Sequence, residues 1–412
     1  MAPPLVFNVH RCEPELIIPA KPTPHDLKPL SDIDDQDGLR VQLPLIYFYP
    51  YHPSMQIRDP LQVLKQALAE ALVFYYPFAG RIRELPDRKL VVECTGEGIL
   101  FIEAYADVSL DQFGDMLRPP FPCFEELLFD VPGTTGIVNC PLLLIQVTRL
   151  KCGGIIIAIR FNHTMSDATG FLQFLSAVAE MAQGARAPSI SPIWERHLLT
   201  ARKPPRVTCI HEYDDSVNTE DKISLAEVKD HRSFFFLRNQ ISVLRRRYAP
   251  PHLSHCSSFE ILAACLWRCR TIALQPNPDE EMRIICIVNA RNSFNPPMPK
   301  GYYGNCIAYS VAKARAGDLS RNPIGVGPVY NGEFLPSFRV ARVRFDEVDF
   351  GWGRAVYGGP AKGYVASFHI ASRNEKGEDG IVVTLCLPNL AMERFVKELD
   401  HLLRDHPLLC AL

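Results

Sequence analysis

The stretch Ile155-Ile156-Ile157-Ala158-Ile159-Arg160-Phe161-Asn162-His163-Thr164-Met165-Ser166-Asp167-Ala168-Thr169-Gly170 decides how this chain is read. Its first five residues are apolar on both faces, the pattern of a central strand buried on both sides. After it, Ala168, Phe171, Leu172, Leu175, Val178, Ala179 and Ala182 recur at helical spacing. A polar cluster around His163 therefore stands at a strand-to-helix junction, where α/β architectures place their sites.

Working outward, Leu142 to Leu150 reads as the strand before, joined through the turn Lys151-Cys152-Gly153-Gly154. Leu43 to Tyr49, Val91 to Cys94 and Gly98 to Ala104 read as further strands. Asp59-Pro60 opens a helix with Leu61, Leu64, Leu68, Ala71, Leu72 and Tyr75 inward, and Pro77 stops it. The Pro-rich segment from Gly184 to Glu212 reads as a crossover. Beyond it come a strand over Ser233 to Leu237 and a capping box at Ser257-Ser258-Phe259-Glu260 leading a helix to Ala273. Ile284 to Arg291, Tyr364 to Ala371 and Gly380 to Leu387 read as strands, and a final helix turns Met392, Phe395, Val396, Leu399 and Leu402 inward. The expectation is an α/β protein with an N-terminal domain over 1–184, a linker over 185–220 and a C-terminal domain over 221–412.

Composition bounds the function. Of 412 residues 47% are hydrophobic and 22% charged, which excludes disorder and coiled coil. With 44 Lys plus Arg against 46 Asp plus Glu, the net charge of -2 supplies no footprint for nucleic acid or an anionic membrane. No apolar run reaches a bilayer's width and the N-terminus lacks a signal-peptide pattern, so a cytoplasmic protein is expected. The 13 cysteines show no C-x-x-C pair, so neither a disulfide framework nor a metal site is expected. The chain lacks G-x-S-x-G, H-E-x-x-H, P-loop and G-x-G-x-x-G motifs. On spacing alone, His163 and Asp167 are compatible with a structural histidine or with a catalytic one.

Taken together, the motifs resemble a known family. Pro141, Cys152-Gly153-Gly154 and His163-Thr164-Met165-Ser166-Asp167-Ala168, followed far downstream by Asp349-Phe350-Gly351-Trp352-Gly353, resemble the plant BAHD acyl-CoA-dependent acyltransferases. Tyr76-Pro77-Phe78-Ala79-Gly80-Arg81, Val288-Asn289-Ala290-Arg291 and Gly301-Tyr302-Tyr303-Gly304-Asn305 match in order, so the resemblance spans nearly the whole chain. Phe7-Asn8-Val9, Pro14-Glu15-Leu16-Ile17 and Leu30-Ser31-Asp32-Ile33-Asp34-Asp35-Gln36 are similar to the branch that includes benzyl alcohol O-benzoyltransferase. The resemblance implies two similar-sized chloramphenicol-acetyltransferase-like domains of mixed sheet plus helices, an active site in a channel between them, a monomer, and acyl-CoA as co-substrate with no bound cofactor.

The implied chemistry is direct transfer of a benzoyl or acetyl group to a small alcohol. An alcohol is a weak nucleophile until a base within hydrogen-bond reach takes its proton, and His163 is that base by resemblance. A thioester already carries a good leaving group, so no acyl-enzyme is required. Asp167 is implied to turn away from substrate and pair with Arg291. Asp349, Gly351, Trp352 and Gly353 are implied to form a rigid turn that acts on CoA binding through conformation. Ser257 and Ser258, at a helix N-terminus that favours anions, are candidate CoA contacts. Arg268, Arg270 and Lys300 are open between phosphate contacts and solvated charges, as Tyr47, Phe48 and Tyr49 are between acceptor pocket and core. An amine acceptor, or a relative that only binds ligand, are the alternatives. In one place the chain departs from the family: after Asn322-Pro323 a helix and strand are replaced by a short run to Phe345, which is expected to remove a packing partner from the second domain.

Overall fold

The computed structural model describes residues 5–130, 136–204, 206, 229–249, 251, 254–321, 343–362, 367–374 and 376–403. Packing gathers the chain into two units, one of Met1–Ala201, Arg291–Ile307 and Arg342–Lys362, the other of Arg202–Ala290, Ala308–Ala341 and Gly363–Leu412. This departs from the division of the sequence at 184 and 221. Residues 291–307 and 342–362 pack with the first unit because their polar groups bond there: Arg291 reaches Asp167, and the main chain of Asp349 and Gly351 accepts from Gln183 and Ser54.

The first unit is built on a seven-stranded mixed sheet. Ile155–Asn162 lies inside it, antiparallel to Leu143–Arg149 on one side and to Gln42–Tyr49 on the other, and Ile155 to Ile159 are all buried. Leu143–Arg149 pairs parallel with Ile99–Ala106, and Tyr357–Pro360 closes the far edge against Gln42–Tyr49. Helices Pro60–Phe74 and Ala168–Ala182 pack on each other and on the sheet, and their buried side chains join Tyr47, Tyr49, Val147, Ile157 and Phe161 in one core. A small sheet of Leu27–Pro29, Leu90–Glu93 and Arg81–Glu84 stands beside it. Asp59 occupies the N-cap position expected for the first helix, but its side chain caps nothing there; the carboxylate pairs with Arg149 at 2.7 Å.

The second unit carries a three-stranded antiparallel sheet of Lys229–Leu237, Asp379–Pro388 and His369–Arg373, and a separate ribbon of Glu281–Asn289 with Ile307–Arg315. Helices Arg238–Tyr248, Ser258–Leu274 and Asn389–Leu402 bury Ile241, Leu244, Leu262, Cys265, Met392, Phe395 and Leu399 against Phe234, Phe236, Val383 and Leu385. The sequence reading passes over helix Arg238–Tyr248, whose short apolar stripe of Ile241, Leu244 and Tyr248 stands among charged residues. The shortened run after Pro323 and the first part of the expected strand over 364–371 lie outside the described residues.

His369 stands on the helix-facing side of this sheet, its ring 4.8 Å from that of Phe259. Its Nδ1 is buried without a hydrogen-bond partner, and burial pushes the imidazole down to about 4. The unfolded chain, with a histidine near its ordinary value, binds the proton first, so this group's contribution to stability is intact above about pH 6.5 and falls as pH drops toward 4. At pH 5 the loss relative to pH 7 is about 2 kcal/mol. Urea titrations at the two pH values are expected to show His369→Leu losing less stability than the parent by about that amount.

Candidate active site

The turn between strand Ile155–Asn162 and helix Ala168–Ala182 is held at both ends by stacked rings, Phe161 on Phe171 at 4.1 Å and 7°. Between them the chain makes one 3-10 turn, His163–Met165, opened by Asn162, whose side chain accepts from the amide and the hydroxyl of Thr164 at 3.2 and 2.7 Å. Main-chain groups of the turn are tied to three other segments. His163 N–H donates to Val41 O at 2.9 Å, His163 O accepts from Asn305 Nδ2 at 2.8 Å, and Met165 O accepts from Arg196 Nη2 at 2.7 Å. The Ser166 hydroxyl donates to the carbonyl of Tyr303 at 2.6 Å.

The ring of His163 is half-buried, and its Nδ1 lies 3.0 Å from the carbonyl of Ser166. A carbonyl can only accept, so Nδ1 carries the proton and Nε2 presents its lone pair. This is the tautomer a general base requires.

Asp167 is the N-cap of helix Ala168–Ala182, and its Oδ1 accepts from the amide of Gly170 at 2.9 Å. Arg291 grips it bidentately, Nη1 to Oδ2 at 2.7 Å and Nη2 to Oδ1 at 2.8 Å, and the amide of Cys306 adds a bond to Oδ2 at 3.0 Å. The His163 ring bonds instead to the Ser166 carbonyl, so the two motif side chains do not form a hydrogen-bonded dyad. Gly170 is required by space: a Cβ there would overlap the carbonyl of Tyr303.

A second buried ion pair stands beside the first, and sequence reasoning missed it. Arg196 Nη1 meets Asp34 Oδ1 at 2.8 Å, with both residues at most 2% exposed. The guanidinium lies among the rings of Trp194, Tyr302 and Tyr303, 4.4, 5.4 and 5.1 Å from their centres. Asn305 donates to the same Asp34 oxygen from its amide and its Nδ2, each at 2.9 Å. Ser31 donates to Oδ2 from its amide at 3.0 Å and from its hydroxyl at 2.6 Å.

The Asp349 to Gly353 segment forms a tight turn. Asp349 Oδ1 accepts from the amides of Gly351 and Gly353, each at 2.8 Å, and those glycines take φ of +105° and +93°, which L side chains avoid. Trp352 is buried, edge-on to Tyr49 at 6.2 Å, while Tyr49 OH donates to Val348 O at 2.9 Å. Tyr47, Phe48 and Tyr49 are all buried in the first unit.

In the second unit, Ser257 and Ser258 open helix Ser258–Leu274. Ser257 Oγ accepts from the Glu260 amide at 3.2 Å, and Ser258 Oγ accepts from Arg245 at 3.4 Å. Arg268 is not a solvated charge: it pairs with Glu398 at 2.7 Å. Arg270 is largely withdrawn from water, which pulls its guanidinium below its ordinary value, and Lys300 is exposed.

Comparison with known proteins places this arrangement. The fold is that of vinorine synthase, with a TM-score of 0.70 and 22% identity over 95% of this chain and 98% of that one. The TRI101 protein of F. graminearum, solved with coenzyme A and T-2 mycotoxin, shares it at a TM-score of 0.65 and 14% identity, covering 90% of this chain and 96% of that one. A profile described as "Transferase: Transferase family" matches residues 7–335 and 328–402. The chain belongs to this family, the BAHD acyltransferases, and is an acyl-CoA-dependent O-acyltransferase. It is 56% identical to benzyl alcohol O-benzoyltransferase of Petunia hybrida, over 97% of this chain and 95% of that protein. It is 57% identical to the Nicotiana tabacum protein of the same name, over 98% and 96%, and 48% identical to alcohol acyl transferase 1 allele GSa of Malus domestica, also over 98% and 96%.

Removing one partner of the Asp167–Arg291 pair leaves a buried charge without its counter-charge. Arg291→Met is expected to cost about 3–5 kcal/mol in chemical denaturation. In the double variant Asp167→Asn/Arg291→Met the loss should be smaller than the sum of the single losses.

Proposed function

We propose that this chain transfers a benzoyl or acetyl group from acyl-CoA to the hydroxyl of a small alcohol such as benzyl alcohol, releasing the ester and free CoA, with His163 as general base. The observation that carries the reading is the bond from His163 Nδ1 to the Ser166 carbonyl, which leaves Nε2 as an acceptor in a chain 56–57% identical to two benzyl alcohol O-benzoyltransferases. The alcohol O–H donates to Nε2. As its oxygen attacks the thioester carbonyl, the proton passes to the imidazole and a tetrahedral oxyanion forms. The carbonyl re-forms, the C–S bond breaks, and the CoA thiolate takes the proton back from the imidazolium. The base supplies about 10²–10⁴-fold of the rate, and holding both substrates in line adds to it.

Asp167 and Arg291 act in this scheme without touching substrate: they set the direction in which the helix leaves the turn. Asp349, Gly351, Trp352 and Gly353 hold a turn whose rigidity shapes the first unit. The N-terminal end of helix Ser258–Leu274, with Ser257 and Ser258, is our assignment for a CoA phosphate, where the helix dipole favours an anion. No helix among the described residues is long and apolar enough to cross a membrane; we assign the enzyme to the cytoplasm as a monomer.

One observation favours a second reading, a relative that binds substrate without turning it over. The alignment to the Petunia hybrida protein spans 436 positions, more than the 412 residues of this chain, and the family match breaks into two pieces near residue 330. Purified protein with benzoyl-CoA and benzyl alcohol separates the two by release of free thiol and formation of benzyl benzoate, with a panel of other alcohols and amines run in parallel. Turnover with an alcohol supports the proposal, turnover confined to amines moves the acceptor class, and none at all in a folded, monodisperse sample supports the second reading. In the active protein, His163→Ala is expected to lower kcat by about 10²–10⁴-fold with an unchanged Tm; retained activity would take the base role away from His163.

A further inference from the structure

We infer that Asp34, Arg196 and Asn305 are positioning residues for His163, forming a clamp distinct from the Asp167–Arg291 pair. The inference rests on His163 being the base. Asp167 and Arg291 secure the start of the helix, after the turn. The Asp34 carboxylate secures the turn itself through two donors that each continue to its main chain. Arg196 spends Nη1 on Asp34 and Nη2 on Met165 O, while Asn305 Nδ2 lies between Asp34 Oδ1 and His163 O.

Those two carbonyls belong to the residue carrying the base and to the residue just before Ser166. The Met165 peptide group joins directly to Ser166, whose own carbonyl receives the proton of Nδ1 at 3.0 Å. Holding the His163 and Met165 carbonyls toward Asn305 and Arg196 orients the peptide planes, and with them the acceptor that selects the ring tautomer. If either carbonyl swings free, the Ser166 carbonyl moves off Nδ1. The proton can then reside on Nε2, where the ring cannot accept from an alcohol.

The energetics agree with orientation as the role. A buried carboxylate and guanidinium lose their hydration, and their mutual attraction does little more than offset that loss. Around Arg196 the loss is further reduced by three aromatic faces. The arrangement adds little net stability over an apolar packing of equal volume. Its specific effect is to present donors of fixed direction to two carbonyls. Gly304 shows how closely the guanidinium is seated, since a Cβ at that position would overlap it.

The test uses the full chain, with Asn305→Ala, Arg196→Met and Gly304→Ala. In Asn305→Ala the main-chain bond from residue 305 to Asp34 stays available, so folding is retained while the bond to His163 O is lost. Gly304→Ala leaves Asp34, Arg196 and Asn305 chemically intact and displaces the guanidinium together with the neighbouring Tyr302 hydroxyl. Each is expected to lower kcat about 10- to 100-fold with little change in KM for acyl-CoA. Arg196→Lys, which keeps the charge but cannot span both acceptors, should recover only part of the loss. Ring ¹⁵N shifts of His163, assigned by difference from His163→Gln, should report the Nδ1–H tautomer in the parent and an increased Nε2–H fraction in the variants. Val63→Ala, in the core helix Pro60–Phe74, supplies a control that lowers Tm without altering kcat or the tautomer. A folded Asn305→Ala or Gly304→Ala with parental kcat and parental ¹⁵N shifts overturns the inference. Absence of turnover in the parent itself overturns the proposed function instead, and the tautomer measurement then still decides the clamp.

Discussion

A carboxylate closed off from water must be met by donors, and Asp167 is met by four: the amides of Gly170 and Cys306 and two N–H groups of Arg291. Much of the first unit follows from that requirement. The cap on Gly170 fixes where helix Ala168–Ala182 begins. The guanidinium and the Cys306 amide come from a segment more than 120 residues downstream, so residues 291–307 are bound to the first unit and separated by packing from the chain on either side. That return brings Tyr303 and Asn305 against the turn. Ser166 and Asn305 then complete bonds that no local sequence could have closed. One desolvated charge thereby determines both the exit of the helix and the environment of the histidine four residues before it.

The Asp349 turn repeats this logic with fewer parts. A single carboxylate oxygen satisfies two amides, two glycines accept the φ that such a loop demands, and the indole of Trp352 is buried against Tyr49 and Phe350. Its main chain is bonded by Gln183, just past helix Ala168–Ala182, and by Ser54, just ahead of helix Pro60–Phe74. The turn thus braces the two helices that cover the sheet. The Asp349 Oδ1 atom is spent inside the loop, so the bracing runs through the main chain of the turn.

The parts of this structure that were legible in the sequence are those written in contiguous residues. Five consecutive apolar residues ending at Ile159 could only be a buried strand, and the spacing after Ala168 could only be a helix, so the His163 junction followed. Arg291 is legible only through the family resemblance, since 124 positions separate it from Asp167. The role of Asp34 is not legible in the sequence for a physical reason. It stands in the run Asp32-Ile33-Asp34-Asp35-Gln36-Asp37, where every acid looks like a solvated turn residue; the structure buries Asp34 fully and leaves Asp37 exposed. Arg196 lies in the Pro-rich stretch that reads as a linker, and its burial depends on aromatic rings at 194, 302 and 303 that come together only in the fold. The one available signal was Trp194, an aromatic two residues from a cation in an otherwise polar crossover.

The short run after Pro323 acquires a specific meaning from this layout. The residues that hold His163 and Asp167 come from 31–41, 162–170, 196 and 291–306, and the bracing turn from 349–353, all in the first unit. Residues 308–341 belong to the second. The point near residue 330 where the family match divides therefore lies outside every bond described for the His163 turn. A change there leaves the tautomer of His163 and the grip on Asp167 to bonds made wholly within the first unit. A change in the second unit is then read in that unit's own unfolding, and a change at Asn305 or Arg196 in the bonds that hold the His163 turn. The two are separable because one is expressed in the stability of the second unit and the other in the tautomer of His163.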